Sequence, residues 1–244
     1  MTGRPGRHAP RGPAADRGGG GAMSMNVAYK GPGDCPTVIP VFPLPGALLL
    51  PRGQMPLNIF EPRYLAMVDD ALRSDRVIGM IQPDVDASEQ PLAPKLYRVG
   101  CAGRITQFAE TGDGRYLISL TGIARFRVEE EMATTTPYRL CRVSFDPFTA
   151  DFHARAGEER VDRAGVLRAL KDFVEANDLK VDWAGIEEAP NEALVNALCM
   201  MSPFGPREKQ AMLEAPDLKT RAEVLIAVTE MELVRGSGSE PTLQ

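Results

Sequence analysis

Nucleophilic, acid–base and metal chemistry each need a small set of convergent side chains, and this 244-residue sequence offers few of them. The histidines are His8 and His153, too few for a metal cluster or a histidine-based triad. Ser202 and Lys209 would make a nucleophile and base only across a Ser-Pro-Phe-Gly-Pro break, with no supporting motif around either. Neighbouring carboxylates such as Asp69 and Asp70, Glu129 to Glu131, or Glu187 and Glu188 read as solvated helix faces and turns. No G-x-x-x-x-G-K-[ST] loop is present to cradle nucleotide phosphates. Cys35, Cys101, Cys141 and Cys199 lie far apart without a C-x-x-C pair, the pattern of isolated buried thiols in a reducing cytoplasm rather than of a zinc site. The sequence therefore predicts no catalytic residue, no metal site and no cofactor.

Recognition chemistry is better represented. Phe60, Glu61, Arg63 and Tyr64 put an aromatic surface, a carboxylate and a planar cationic fork at one strand-to-helix junction. Such a set could hold an extended peptide by stacking and charge-assisted hydrogen bonds. The same residues could instead be structural, with Phe60 and Tyr64 in the core and Glu61 paired to Arg63 or to Arg125. Arg125 and Phe126 carry the same two readings, as binding residues or as a bend and core packing.

The elements that would position these residues can be read from proline placement and periodicity. Pro40, Pro43, Pro45, Pro51 and Pro56 each remove a backbone donor, so the apolar run containing them is expected to form short edge strands, bends and turns. Pro62 suits the first turn of a helix, and Tyr64, Leu65, Val68, Ala71 and Leu72 follow at the spacing of one helix face. Strands are expected at 76–82, 95–110, 115–120, 124–130 and 138–145, with the glycine-containing turn 111–115 joining two of them as a hairpin. Residues 124–130 should turn Phe126 and Val128 to one face and Arg125, Arg127 and Glu129 to the other. Beyond Pro147 the period becomes helical. One helix carries Val161, Ala164, Leu167, Leu170 and Val174. Another carries Leu194, Leu198 and Met201 on one face. A third spans 207–214, and a last one, capped by Asp217, presents Leu218, Ala222, Leu225 and Val228. Trp183 is expected to anchor the connection between the first two.

The implied organisation is a Gly-, Pro- and Arg-rich disordered arm over 1–36, a strand-rich part over 37–150, a helical part over 151–235 and a disordered tail over 236–244. Met23 and Met25 follow a run of glycines, so the start at Met1 and a start inside the arm are both compatible with the sequence. The first 30 residues carry five Arg or Lys against one Asp, which leaves a net of −9 on the rest of a chain whose total is −5. That balance weighs against nucleic acid, whose binding draws on clustered Lys and Arg. The apolar runs are far shorter than the roughly 20 residues that span a bilayer, so no membrane partner is expected.

The stretch from Ile39 to Tyr64, IPVFPLPGALLLPRGQMPLNIFEPRY, resembles the signature of the Lon protease N-terminal, substrate-binding domain. TGIARFRVEE, with Gly122, Arg125 and Phe126 after the hairpin GDGRYLISL, is similar to the family's later G-x-x-R-F pattern. The resemblance extends from about Thr37 to about Val234. Two departures stand out: Arg52 occupies a position where the family more often has glycine, and Asn58 one that is frequently basic or aromatic. The resemblance implies an α+β fold, a PUA-like β pseudobarrel with an inserted helix followed by a small C-terminal helical bundle. It further implies a non-catalytic cytoplasmic domain without the ATPase and peptidase modules, binding exposed apolar or unstructured polypeptide segments and serving as an adaptor or competitor for full-length Lon. RNA binding, a small-molecule pocket in the barrel and an unrecognised hydrolase are the alternatives to it.

Overall fold

A computed structural model of the chain describes residues 28–84 and 94–237. The expected arm falls outside the described residues up to position 27, and the expected tail from position 238. Residues 28–36, which the composition assigns to the arm, are built into the fold: Tyr29 accepts a hydrogen bond from Arg104 at 3.0 Å, and Cys35 is buried against the barrel.

Among the described residues six strands form the sheet: β1 (Val38–Pro43), β2 (Gln54–Ile59), β3 (Val77–Ile81), β4 (Val99–Glu110), β5 (Tyr116–Met132) and β6 (Arg139–Ser144). Their order is β2-β5-β4-β3-β1-β6, and a further pairing of β5 with β6 closes all but β2 into a ring. Closure removes most sheet edges. It depends on the length of β5, which offers Tyr116–Thr121 to β2 and Arg127–Met132 to β6 along the same side. Bulges in the β4–β5 and β5–β6 ladders bend these strands around.

Two sequence expectations are corrected here. Positions 115–120 and 124–130 belong to one continuous strand rather than two, because Gly122 marks a close approach and not a break. A Cβ on Gly122 would sit 2.0 Å from the Leu50 carbonyl oxygen, so only glycine lets β5 pass that loop. The prolines of β1 also do not make it an edge strand: it lies between β3 and β6. The pairings are staggered, so Pro40 is matched only with Leu140 of β6 and Pro43 only with Ile81 of β3. Each ring thus falls where one neighbouring ladder is absent and the missing N–H costs no bond. Pro56 behaves as expected, on β2 at the edge.

Helix α1 (Pro62–Leu72) is inserted between β2 and β3, with Pro62 at its first position and Tyr64, Met67, Val68 and Ala71 buried. A 3₁₀ segment, Asp146–Phe152, spans the expected boundary at 150 and leads to the helices. These are α2 (Arg163–Ala176), α3 (Trp183–Glu188), α4 (Asn191–Met201), α5 (Pro206–Glu214) and α6 (Leu218–Ser237). α2 buries Val166, Ala169, Leu170 and Val174, so its inner stripe is rotated from the expected one and Ala164 is exposed. Trp183 is no packing anchor: it opens the short helix α3 and is 38% exposed. Met201 does not join Leu194 in the core, because it ends α4 beyond the last core residue, Cys199, and is 81% exposed. Apart from such positions, the helices and the barrel share one apolar cluster, running from Phe42, Leu48–Leu50 and Leu120 to Leu194, Met212, Leu218 and Leu225.

Candidate functional site

The residues singled out from sequence are divided between surface and interior. Phe60 follows β2 on the outside, 59% exposed, with the Arg115 guanidinium 5.8 Å from its ring centroid. Glu61, half-buried, and Arg63, exposed, are paired with each other, Arg63 Nε donating to Glu61 at 2.9 Å. Tyr64 is buried, packed on Phe42 with ring centroids 4.3 Å apart, and the Arg63 guanidinium lies over its ring, 4.5 Å from the centroid. Phe60, Glu61 and Arg63 therefore share the β2–α1 junction, and Tyr64 turns inward to support it.

Arg125 and Phe126 lie elsewhere, in the middle of β5, and both are buried. Alternation sends Phe126 into the barrel and Arg125 to its outside, but that outside is covered by the 3₁₀ segment and by α5 with the turn that follows it. Asp151 fills the gap between β2 and β6 on β5. It accepts the Arg125 backbone N–H and Nε through Oδ2, and Nη2 through Oδ1, each at 2.9 Å. Arg125 Nη1 donates to the Leu213 and Ala215 carbonyls at the end of α5. The guanidinium lies 4.6 Å from the centroid of Phe148. Arg221 is buried next to this pair, giving Nε to the Met212 carbonyl at 3.1 Å and Nη1 to Asn196 Oδ1 at 2.9 Å. Burial, with Arg125 nearby, pulls its pKa down to about 10.

Asn196 in turn donates to the Pro51 carbonyl at 3.3 Å, and so ties α4 to the turn that leads into β2. A groove of about 370 Å³ opens on the outer side of this junction. Pro51, Gly53 and Gln54 form one wall, and Ala193, Ala197, Met200 and Met201 of α4 the other. Arg52, at its rim, has the left-handed φ of 64° that favours glycine. Its guanidinium clamps Glu192 and donates to the Asp151 carbonyl at 2.6 Å. Glu192 also accepts the Arg155 N–H at 2.7 Å. Periodicity could not find this groove, since Ala193 and Ala197 of its α4 wall are exposed, Met200 only partly covers the core, and Met201 shares the Leu194 face but lies past the last buried residue of the helix.

Lys209 Nζ donates to the Met200 carbonyl at 3.2 Å, and Ser202 follows α4 as its C-cap. Among the described residues no group of three or more His, Cys, Asp or Glu is placed to hold a metal ion. The four cysteines are free and buried, and burial pushes Cys141 up to about 11 and Cys35 and Cys199 up to about 12. Among the described residues no helix is long and apolar enough to cross a membrane.

Comparison with known proteins agrees with this architecture. The chain is similar to Lon protease 2 of Myxococcus xanthus, 29% identical over 218 residues, which cover 85% of this chain and 26% of that protein. It is also similar to Lon protease 2 of Sorangium cellulosum, 30% identical over 205 residues, covering 80% of this chain and 25% of that one. The chain thus spans about a quarter of the length of these curated relatives. Two solved structures share the fold. One is a Lon N-terminal domain protein from Xanthomonas campestris, with TM-score 0.56 and 22% identity, covering 78% of this chain and 98% of that one. The other is the N-terminal domain of Mycobacterium avium complex Lon protease, with TM-score 0.57 and 18% identity, covering 79% and 98%. Residues 38–229 match the family described as the ATP-dependent protease La (LON) substrate-binding domain, and with a match across that share of its length the chain belongs to this family.

Proposed function

We propose that this chain is a non-catalytic polypeptide-binding module that takes an exposed apolar segment of another protein into the groove between the β2 turn and α4. The observation that carries the reading is the composition of that groove. Its lining is mostly proline, glycine, alanine and methionine, with Gln54 and Asn196 as neutral polar groups and Arg52, Arg155 and Glu192 as the charged ones. Methionine is unbranched and polarizable, so Met200 and Met201 can adapt to side chains of different shape, as binding to varied unfolded segments requires. Membership of a family named for substrate binding supports the same reading. Full-length Lon is then a natural partner, with the chain acting as an adaptor or modulator of ATP-dependent proteolysis. Four free, buried thiols fit a reducing compartment such as the cytoplasm.

The test is fluorescence anisotropy of labelled, reduced and carboxymethylated α-lactalbumin titrated with the full chain, beside the same label on the folded, disulfide-intact protein. Binding of the unfolded form alone is expected, weakened about tenfold or more in Met201→Glu, where a charge enters an apolar wall without touching the core. Equal binding of both forms, or none of either, would refute the reading.

A further inference from the structure

The outer edge of β2 begins where the groove ends. Two hydrogen bonds set the phase of this strand. Gly122 N–H donates to the Gly53 carbonyl at 2.8 Å, and the Ser119 carbonyl is turned toward β4, where it accepts the Thr106 hydroxyl at 3.2 Å. Backbone groups alternate sides along an antiparallel strand, so Met55, Leu57 and Ile59 point theirs at β5 while Gln54, Pro56 and Asn58 point theirs away. No strand among the described residues pairs with that outward side. Gln54, Pro56 and Asn58 are all exposed. The ring of Pro56 therefore removes nothing from the β5 ladder, and the edge keeps the N–H groups of Gln54 and Asn58 and the carbonyls of all three residues.

Apolar surface lies at both ends of this edge. Gly53 and Gln54 belong to the groove wall opposite Met200 and Met201. Phe60, 59% exposed, follows the far end, beside Leu117, which is matched with Asn58 across the ladder and is 48% exposed. From 54 to 60 the strand covers about 20 Å.

We propose that the bound polypeptide adds as an extended strand to the outer edge of β2, with one apolar side chain in the Met200–Met201 groove and another on Phe60 and Leu117. The proposal rests on the polypeptide-binding reading above and adds its mode. The edge groups select the occupant: donors and acceptors repeating every second residue are matched by another extended backbone, whatever its sequence. Apolar contacts at the two ends, about six residues apart, supply the side-chain preference. The bland role of such an edge is solvation, with Pro56 guarding against aggregation; strand addition requires that its remaining donors become protected on binding.

Hydrogen exchange on the full chain, free and saturated with reduced, carboxymethylated α-lactalbumin, reads this directly. The Gln54 and Asn58 amides are expected to slow at least about tenfold on binding. Asn58→Pro removes an outward donor while leaving the β5 ladder intact, and Leu57 before it is already extended. It should weaken binding about tenfold, whereas Asn58→Ala, which keeps the N–H, should stay within about twofold of wild type. Should Asn58→Pro misfold, the exchange measurement on wild type still decides. If Met201→Glu weakens binding but both amides exchange unchanged in the complex, the groove reading stands and strand addition is overturned. If wild type does not bind the probe, the polypeptide-binding reading itself fails and takes the proposal with it.

Discussion

Arg52 combines a backbone cost with a side-chain gain. A non-glycine residue in the left-handed region costs about 1–2 kcal/mol, and Arg52 sits there at φ 64°. Its guanidinium is tied to Glu192 and to the Asp151 carbonyl, a partly exposed cluster of the kind that contributes about 0.5–1 kcal/mol. Arg52→Gly is therefore expected to stay within about 1 kcal/mol of wild type, because strain and clamp are lost together. Arg52→Ala keeps the strain, loses the clamp, and should be the less stable of the two by about 1 kcal/mol. Urea denaturation of the three proteins checks this; equal losses in both variants would mean that the backbone stores no strain. That Arg52 departs from a glycine position was legible in the sequence. Its partner Glu192, 140 residues away, was not, since no local period links a turn to a distant helix.

Elements were read best where the signal is steric and local. Pro62 opens α1 as expected, and the turn between β4 and β5 closes through the Asp113 carboxylate, with Gly112 and Gly114 at positive φ. The cap of α6 is a third case: Asp217 accepts the Thr220 N–H at 2.8 Å and also pairs with Arg160 at 3.2 Å. The hydrogen bonds from Thr220 hold the Asp217 carboxyl below its ordinary pKa. A carboxyl depressed in the folded state stabilises above its unfolded pKa, and that contribution fades as pH falls through the folded value. Asp217→Ala should thus cost about 1 kcal/mol at neutral pH, and the gap to wild type should close below about pH 4. Melting both proteins at neutral and acid pH measures it; a gap undiminished in acid would rule out the carboxylate cap as its source. Less legible were the faces of the elements. Leu194 and Met201 share a helix face by spacing, yet one is core and the other groove wall, because periodicity gives the direction of a side chain and not where its neighbours end.

At the scale of the molecule, barrel and helices are joined by a shared apolar core and by buried polar groups that cross it. Gln82, just past β3, donates to the Pro206 carbonyl at 2.9 Å, and Gln210 of α5 donates to the Val99 carbonyl at 3.2 Å. Arg125 and Asp151 form the most buried ion pair among the described residues, with side-chain exposures of 3% and 8%. Breaking such a pair from one side leaves an uncompensated charge inside, so Arg125→Ala should cost about 3–5 kcal/mol. Replacing both with apolar residues, as in Arg125→Met with Asp151→Leu, should cost clearly less, although the Arg125 backbone N–H also loses its acceptor. Denaturation midpoints of the single and double variants decide this, and a double variant worse than Arg125→Ala would contradict it. The sequence by itself determined the α+β class, the inserted helix, the β4–β5 hairpin and the helical second half. Proline geometry, glycine turns and apolar period act within a few residues of one another, so one chain suffices to read them. Only the tertiary structure decided that Arg125 is interior, that β1 is central, that the outer side of β2 is left open and that α4 and the β2 turn enclose a groove. These depend on which surface of one element another covers, and coverage is set by contacts between residues far apart in sequence.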